Sequence, residues 1–186
     1  MAYYNRGIVY YNSSDFEQAI LDFTRAIELD PDNAVAYHDQ GIAYQASGNP
    51  AQAMADYTKA TELDPNNANY WDSLCWFGSL SGHAADVVYA CEQAVELAPD
   101  DGWIRDGRGV ARALTGDYDG AIEDFRFYVE WSQEHDEYEP DGRQREEWIA
   151  ELEAGRNPFD EATLEELLNE TEGGLLEYFT PLDQSQ

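Results

Sequence analysis

The stretch FEQAILDFTRAIELDPDN, residues 16–33, decides the fold because it recurs along the chain at a constant interval. It returns as PAQAMADYTKATELDPNN at residues 50–67 and as AADVVYACEQAVELAPDD at residues 84–101. The prolines near the end of each copy, Pro31, Pro65 and Pro99, lie 34 residues apart. A period of this length predicts an array of stacked helical units rather than a single globular core.

Two further sets of residues follow the same period, one small and one bulky. The small set is Gly7, Gly41, Cys75 and Gly109, and the bulky set is Phe23, Tyr57, Cys91 and Phe125. Two helices of a hairpin approach closely only where the residues between them are small. The sequence therefore predicts helical hairpins with a small residue opposite a bulky one, stacked on each other to build the core.

Each unit contains the signals of two helices. Apolar residues recur every three or four positions in segments such as AYYNRGIVYY and FEQAILDFTRAIEL, as amphipathic helices require. The helix before each periodic proline must end there, because proline cannot continue a helix and disfavours helical angles in the preceding residue. Polar residues at the start of the next helix are predicted N-caps: Asn33, Asn67 and Asp101.

This pattern resembles the tetratricopeptide repeat family over roughly residues 2 to 135, most closely in its first two units. The third unit departs from the family pattern at Cys75, Gly78 and Cys91, and the fourth at Arg105, Arg112 and Tyr128. The resemblance implies an all-α solenoid of about four helical hairpins wound as a right-handed superhelix. The expected repeats are residues 1–33, 34–67, 68–101 and 102–135.

The remaining chain is expected to extend this array. Residues 136–170 read as an acidic connector followed by helices that cap the last unit, with Trp148, Ile149 and Leu152 on one side of the first. Residues 171–186 are predicted to be a tail of weak local order. The apolar residues of that tail leave two functions open, docking on the body or a short linear motif.

The charge of the chain narrows the choice of partner. Asp and Glu total 39 against 10 Lys and Arg, a formal net charge of -29. Such a surface repels phosphate backbones and anionic lipids, which disfavours nucleic-acid and membrane partners. A basic partner and adaptation to high salt both remain open. No apolar run long enough to span a bilayer and no signal segment is visible, so a cytoplasmic location is the default expectation.

Signatures of catalysis or cofactor binding are weak. Cys75 and Cys91 occupy core positions, which favours buried structural cysteines, although adjacent helices leave a disulfide open. The three histidines, His38, His83 and His135, fall in different units without metal-ligand spacing. We therefore expect no enzyme activity, no cofactor and no metal site.

In the family resembled, the first helix of each unit lines a concave groove that receives a partner peptide. Within that groove, Ile8, Ile42, Trp76 and Val110 form an apolar stripe, although such a stripe is also typical of core. The acidic residues beside it also fit a solvated face. The full expected partner-binding set is Tyr4, Ile8, Tyr11, His38, Asp39, Ile42, Asp72, Trp76, Trp103, Asp106 and Val110.

The polarity of this set predicts the kind of ligand. Relatives that grip a C-terminal carboxylate use Lys, Arg and Asn on these helices, whereas here Tyr4, Ile8, Asp72 and Asp106 stand in the comparable places. An apolar peptide that carries Lys or Arg fits better. The sequence thus predicts a non-catalytic adaptor or scaffold. The alternative is a self-assembling structural module whose terminal hairpins stack on another copy.

Overall fold

The computed structural model describes residues 2–135 and 138–178, with side chains described as far as Asn169. These residues form successive helices joined by short turns, and Ser79–His83 form an irregular turn. The helices are α1 Ala2–Asn12, α2 Phe16–Leu29, α3 Ala34–Ala46, α4 Pro50–Leu63, α5 Ala68–Gly78, α6 Ala84–Leu97, α7 Gly102–Thr115, α8 Tyr118–Glu134, α9 Asp141–Glu153 and α10 Glu161–Tyr178. The prediction of an all-α fold built from helical hairpins is confirmed.

The helices fall into two compact units. Unit 1 contains α1 to α4, up to Pro65, together with α10 from Leu167 onward. Unit 2 contains Asn66–Glu166, from α5 to the start of α10. Within each unit the helices of a hairpin pack on each other, α1 on α2 and α3 on α4 in unit 1, α5 on α6 and α7 on α8 in unit 2.

The small and bulky sets of the sequence meet inside three of these hairpins. A Cβ atom added at Gly7 would lie 2.8 Å from Cε1 of Phe23, and one added at Gly109 would lie 2.7 Å from Cε1 of Phe125. The same holds for Gly41 and the ring of Tyr57. Glycine is required at these places because the aromatic ring lies directly on the backbone of the first helix.

In the third hairpin a disulfide replaces the contact between glycine and aromatic ring. Cys75 and Cys91 stand where the other hairpins have glycine and an aromatic residue, and they form a disulfide with their Cα atoms 4.9 Å apart. Both residues are fully buried. Two sulfur atoms therefore replace an aromatic ring between α5 and α6, and the pairing that the sequence left open is present.

The predicted helix starts are confirmed by hydrogen bonds. The side chain of Asn33 accepts from the backbone N–H of Ala36 at 3.0 Å, and that of Asp101 accepts from Trp103 at 2.9 Å. Asn67 accepts from the N–H of Asn69 at 3.1 Å. Each cap satisfies a backbone donor that has no partner within its own helix.

In the first hairpin, and again in the fourth, an ion pair joins the two helices. The two paired residues are 16 positions apart in sequence. Arg6 donates to Asp22 at 2.6 and 2.7 Å, and Arg108 donates to Asp124 at 2.9 and 2.6 Å. In the second hairpin Asp56 holds the acidic position, but its arginine is replaced by Gln40, whose amide instead donates to the Ile20 carbonyl at 3.1 Å.

Asp56 is consequently a carboxylate without its counter-charge. Its Oδ2 atom is buried and has no hydrogen-bond partner among the described residues. Burial raises the pKa of Asp56 from 3.8 to about 7. The folded chain thus binds a proton at Asp56 that the unfolded chain releases at lower pH.

Stability should therefore fall as pH rises between about 4 and about 7, because the unfolded state binds fewer protons in this range. Asp56→Asn removes the charge and is expected to raise the free energy of unfolding at pH 8 by about 1 kcal/mol. Urea unfolding of wild type and variant at pH 5 and pH 8 measures the difference. Asp22→Asn is the matched control, and it should lower stability because it breaks the pair with Arg6.

The chain beyond α8 covers the last hairpin. Rings of α9 and its following turn pack on Phe125 of α8: Trp148 at 5.5 Å and Phe159 at 6.2 Å between ring centroids. Trp148 and Phe159 also meet each other at 4.7 Å. These contacts agree with the expected capping role of α9.

Helix α10 is longer than the sequence predicted. It continues to Tyr178, whereas a tail of weak local order was expected over residues 171–186. Once a helix has formed, each added residue gains a hydrogen bond, so Gly173 and Gly174 need not end it. The side chains of the apolar tail residues lie outside the described part; these residues are Leu175, Leu176, Tyr178 and Phe179.

Candidate partner-binding surfaces

The residues predicted to bind a partner lie on the first helix of each hairpin, in both compact units. The first-helix surface of unit 1 is Tyr4, Ile8, Tyr11, His38, Asp39 and Ile42, on α1 and α3. The first-helix surface of unit 2 is Asp72 and Trp76 on α5 with Trp103, Asp106 and Val110 on α7.

The polar residues of the unit 1 surface bind one another. The hydroxyl of Tyr4 donates to Oδ2 of Asp39 at 2.5 Å, and Nδ1 of His38 lies 3.2 Å from Oδ1 of the same carboxylate. Both oxygens of Asp39 therefore have partners, and Asp39 and His38 are buried. This network orders α1 against α3, and Asp39 offers no exposed carboxylate to a ligand.

The apolar residues of the unit 1 surface differ in exposure. Tyr11 and Ile42 are buried, with the ring of Tyr11 5.3 Å from that of Phe16. Ile8 and Tyr4 are half-buried. Tyr11 and Ile42 are thus core residues in this structure, whereas Ile8 and Tyr4 keep accessible area.

A buried amide adds a polar feature to α3. Gln45 accepts a hydrogen bond from the Tyr57 hydroxyl at 2.9 Å through its Oε1 atom. Its Nε2 atom is buried and has no partner among the described residues.

In unit 2 the structure places Asp106 and Val110 in the interior, contrary to their expected exposure. Arg145 of α9 donates to both oxygens of Asp106, at 3.0 and 2.7 Å, and both side chains are almost fully buried. Val110 has no exposed area. The sequence reading missed this because Arg145 lies 39 residues beyond Asp106, in a part of the chain without the repeat.

Asp72 and Trp76 remain half-buried on α5 and face α7 at Gly107. A Cβ atom at position 107 would lie 3.1 Å from Oδ1 of Asp72 and 3.7 Å from Cε3 of Trp76. The missing side chain of Gly107 therefore lets the Asp72 carboxylate and the Trp76 ring approach the backbone of α7 closely. Burial, with smaller contributions from the charges of Asp101 and Asp106, raises the pKa of Asp72 to about 7.

Trp103 belongs to a different group of side chains. Its ring lies 5.1 Å from Tyr128 and 6.3 Å from Trp131, both on α8. It is 44% exposed. The structure thus brings Asp72, Trp76 and Gly107 together and places Trp103 with the aromatic residues of α8.

All cationic side chains of the chain are already paired. Each of the 10 Lys and Arg residues has a carboxylate within 4.0 Å. Four of them, Arg105, Arg108, Arg112 and Arg145, serve carboxylates in unit 2 that are almost fully buried. The remaining acidic residues, which outnumber these cations, give the chain its net charge of -29.

Neither a metal centre nor a membrane span is found in the described part of the chain. No group of three or more His, Cys, Asp or Glu side chains there could hold a metal ion. Among the helices described, none is long and apolar enough to cross a bilayer.

The comparisons with known proteins agree with this architecture. Residues 1–33 and 34–67 each match the tetratricopeptide repeat family model. The chain is thus an all-α repeat protein of the solenoid class, and its first two repeats are similar to the tetratricopeptide repeat. A search of curated protein sequences finds no significant match.

Solved structures with the same fold include three of different kinds. MamA has a TM-score of 0.72 at 19% identity, covering 97% of this chain and 96% of that one. The first tetratricopeptide domain of Spaghetti (RPAP3), bound to the HSP90 peptide SRMEEVD, has a TM-score of 0.56 at 20% identity, covering 66% of this chain and 94% of that one. An O-GlcNAc transferase mutant from Thermobaculum terrenum has a TM-score of 0.60 at 24% identity, covering 72% of this chain and 25% of that one.

Proposed function

We propose that the chain is a non-catalytic adaptor that binds a segment of another protein carrying an apolar residue next to Lys or Arg. The observation that carries the proposal is the site formed by Asp72, Trp76 and Gly107 in unit 2. It combines a half-buried indole ring with a half-buried carboxylate that has no ion-pair partner in the described chain, both packed against the backbone of α7 at Gly107. An apolar side chain can pack on Trp76 while a cation pairs with Asp72.

Unit 2 already contains an arginine bound in this manner. Arg145 pairs with Asp106, and its guanidinium lies 4.6 Å from the centroid of the Trp148 ring and 5.2 Å from that of Tyr128. Carboxylate and aromatic ring together hold this cation. Asp72 and Trp76 offer the same two groups at a neighbouring place, which supports a basic ligand there.

The peptide bound by the RPAP3 domain supports peptide binding by this fold but not the same polarity. That peptide, SRMEEVD, ends in acidic residues. Of the comparable positions here, Tyr4, Ile8 and Asp72 keep accessible area and none is basic, whereas Asp106 is buried and paired with Arg145. A ligand of opposite charge follows from this difference.

The first test is a selection of random twelve-residue peptides displayed on phage, performed with wild type, Trp76→Ala and Asp72→Asn. We expect the wild type to enrich peptides with Lys or Arg beside an apolar residue. Trp76→Ala should lower the affinity for the enriched peptide by about 30-fold, as expected for a central aromatic anchor. Asp72→Asn should lower the same affinity by about tenfold. Because ionised Asp72 binds the cation, affinity should rise as pH increases through about 7.

Tyr89→Ala is the matched control, since Tyr89 is an exposed aromatic residue elsewhere on unit 2. Circular dichroism must show equal helix content for all variants. Selection of peptides without basic residues, or equal affinity of the Trp76→Ala and Tyr89→Ala variants, would contradict the proposal.

A specific observation also favours self-assembly as a second candidate function. Val9 on α1 is 61% exposed, whereas the residues at its position in α3 and α7, Ala43 and Ala111, are completely buried. Those helices pack on the preceding hairpin, α3 on α2 and α7 on α6. A hairpin of a second copy stacking on α1 would bury Val9 in the same way.

Light scattering tests this candidate. Because both copies are strongly negative, self-association should increase when salt screens their repulsion. We expect a mass above that of the monomer in 1 M NaCl for the wild type, and a monomer for Val9→Asp. Val35→Asp, at an exposed valine on α3, is the control. A wild-type monomer at every salt and protein concentration would rule out this candidate.

A further inference from the structure

The second half of α10 is the part of unit 1 that lies outside its two hairpins. From Leu167 onward this helix belongs to unit 1, together with α1 to α4. Leu167 itself is buried, with 2% of its area exposed. The helix is therefore docked at the point where it enters unit 1.

The sequence of α10 gives this helix one apolar side. An α-helix has about 3.6 residues per turn, so residues three, four, seven, eight or eleven positions apart lie on the same side. Glu165 and Glu166 are exposed, whereas the leucines that flank them in sequence are buried or half-buried. The helical backbone continues this side beyond the leucines. The apolar side of α10 consists of Leu164, Leu167, Leu168, Leu175 and Tyr178.

The first-helix surface of unit 1 suits an apolar helix better than a charged segment. The carboxylate in it, that of Asp39, already has partners within the surface for both oxygens. Most of the other residues of the surface are aromatic or aliphatic: Tyr4, Ile8, Tyr11 and Ile42. An amphipathic helix binds such a surface through apolar residues spaced three and four apart, which is the spacing on the apolar side of α10.

The burial of two residues in this surface indicates that a helix covers it. His38 and Ile42 are buried, although both were expected to face a ligand. Two periods further along the chain, the corresponding residues are Asp106 and Val110, which are also buried. There Arg145 of α9 covers Asp106 and pairs with it. In unit 1 the element available for the same role is α10.

The second half of α10 is long enough for this role. From Leu167 to Tyr178 it extends about 16 Å, at about 1.5 Å per residue. Packed helices lie about 8 to 10 Å apart, so this length can cross both α1 and α3. The glutamates of α10 fall on the side opposite the leucines. Docking therefore brings no carboxylate of α10 onto the surface of a strongly negative chain.

We infer that the second half of α10, residues 167–178, is an intramolecular ligand of the first-helix surface of unit 1. Its apolar side covers Ile8 and Ile42, and the surface is closed to other proteins while the helix is docked. A partner reaches this surface only by displacing α10, and an amphipathic helix with the same apolar spacing has the chemistry to do so. The inference does not depend on the proposed adaptor site, because Asp72 and Trp76 lie in unit 2.

The helix supplied as a separate peptide tests the inference. The probe is a synthetic peptide of residues 164–178 with fluorescein at its N-terminus, and fluorescence anisotropy reports its binding to the intact chain. In the wild type the peptide competes with α10 of the same chain, whose effective concentration is on the order of 1 mM. Leu175→Asp weakens the internal helix, so this variant should bind the peptide at least about tenfold more tightly than the wild type does.

Leu176→Asp is the matched control, because it makes the same change at a neighbouring leucine that falls outside the apolar side of α10. It should bind the peptide as weakly as the wild type. Added to Leu175→Asp, Ile8→Asp should lower peptide affinity at least about tenfold, since it places a charge in the surface. Val9→Asp, at the exposed neighbour of Ile8, should not lower it. Circular dichroism must show that the Ile8→Asp and Val9→Asp chains are folded.

Hydrogen–deuterium exchange gives a second readout that needs no peptide. Amides of residues 170–178 should be protected in the wild type and in Leu176→Asp. In Leu175→Asp they should exchange at least about tenfold faster, because a helix without its packing partner opens more often. Amides of α1 and α3 should lose protection in the same variant.

Three results would overturn the inference. The first is a failure of the peptide to bind Leu175→Asp. The second is equal peptide affinity, or equal exchange in α10, for Leu175→Asp and Leu176→Asp. The third is a mass by light scattering that rises with concentration in the wild type but not in Leu175→Asp, which would assign α10 to a second copy. A display selection that yields no ligand for the Asp72 site leaves all three expectations unchanged, so the two proposals fail separately.

Discussion

Arg145→Met is expected to lower the free energy of unfolding by about 3 to 5 kcal/mol, because it leaves the buried carboxylate of Asp106 without a counter-charge. Both side chains are at most 4% exposed, and two hydrogen bonds join them. The arginine also packs on the Trp148 ring. Urea unfolding followed by circular dichroism, with wild type and variant at the same pH, measures the loss.

The double variant Arg145→Met/Asp106→Leu separates loss of charge pairing from loss of packing. Replacing both members of a buried pair by apolar residues is often neutral, so the double variant should recover most of the stability. Arg143→Met is the matched control, since Arg143 lies on the same helix and its pair with Glu139 is exposed. An unchanged unfolding midpoint for Arg145→Met would show that α9 is not anchored through Asp106.

Reduction of the disulfide between Cys75 and Cys91 is expected to destabilise unit 2 by about 3 kcal/mol, because it releases a short loop in the unfolded chain. The two cysteines are 16 residues apart in sequence. Urea unfolding with and without dithiothreitol measures the effect. The variant Cys75→Ala/Cys91→Ala should be as unstable as the reduced wild type, and it should not respond to dithiothreitol.

The other hairpins suggest a rescue. Cys75→Gly/Cys91→Phe gives the third hairpin the pair that Gly7 and Phe23 form in the first. This variant should regain most of the stability and be insensitive to dithiothreitol. If it is no more stable than the alanine variant, the disulfide does more than fill the place of an aromatic ring. Disulfides persist mainly in oxidising compartments, so the oxidation state in the source cell also tests the expected cytoplasmic location.

The repeat made the architecture predictable because each of its constraints is local. Pro31, Pro65 and Pro99 end helices whatever surrounds them, and Asn33, Asn67 and Asp101 cap the next helices within three residues. The glycine and aromatic positions meet within one hairpin, so the period alone places them in contact. Class of fold, helix order and hairpin packing follow from such short-range rules.

The candidate sites were less predictable because they depend on residues that are distant in sequence or outside the repeat. Asp106 and Val110 were expected to face a ligand, but the arginine that covers Asp106 comes from α9. Trp103 occupies the expected helix, yet Trp131 and Tyr128 hold it on the side of α8. Gln40 stands where the first and fourth hairpins have an arginine, so Asp56 has no counter-charge; this is visible in the sequence only when the 16-residue pairing in those hairpins is known.

Hydrogen–deuterium exchange of unit 2 with the peptide most enriched in the display selection tests the adaptor function most directly. We predict slower exchange in α5 from Asp72 to Gly78 and in α7 around Gly107, with no such change in Trp76→Ala. Slower exchange confined to other helices, or equal protection in wild type and Trp76→Ala, would contradict the claim that Asp72, Trp76 and Gly107 form the partner-binding site.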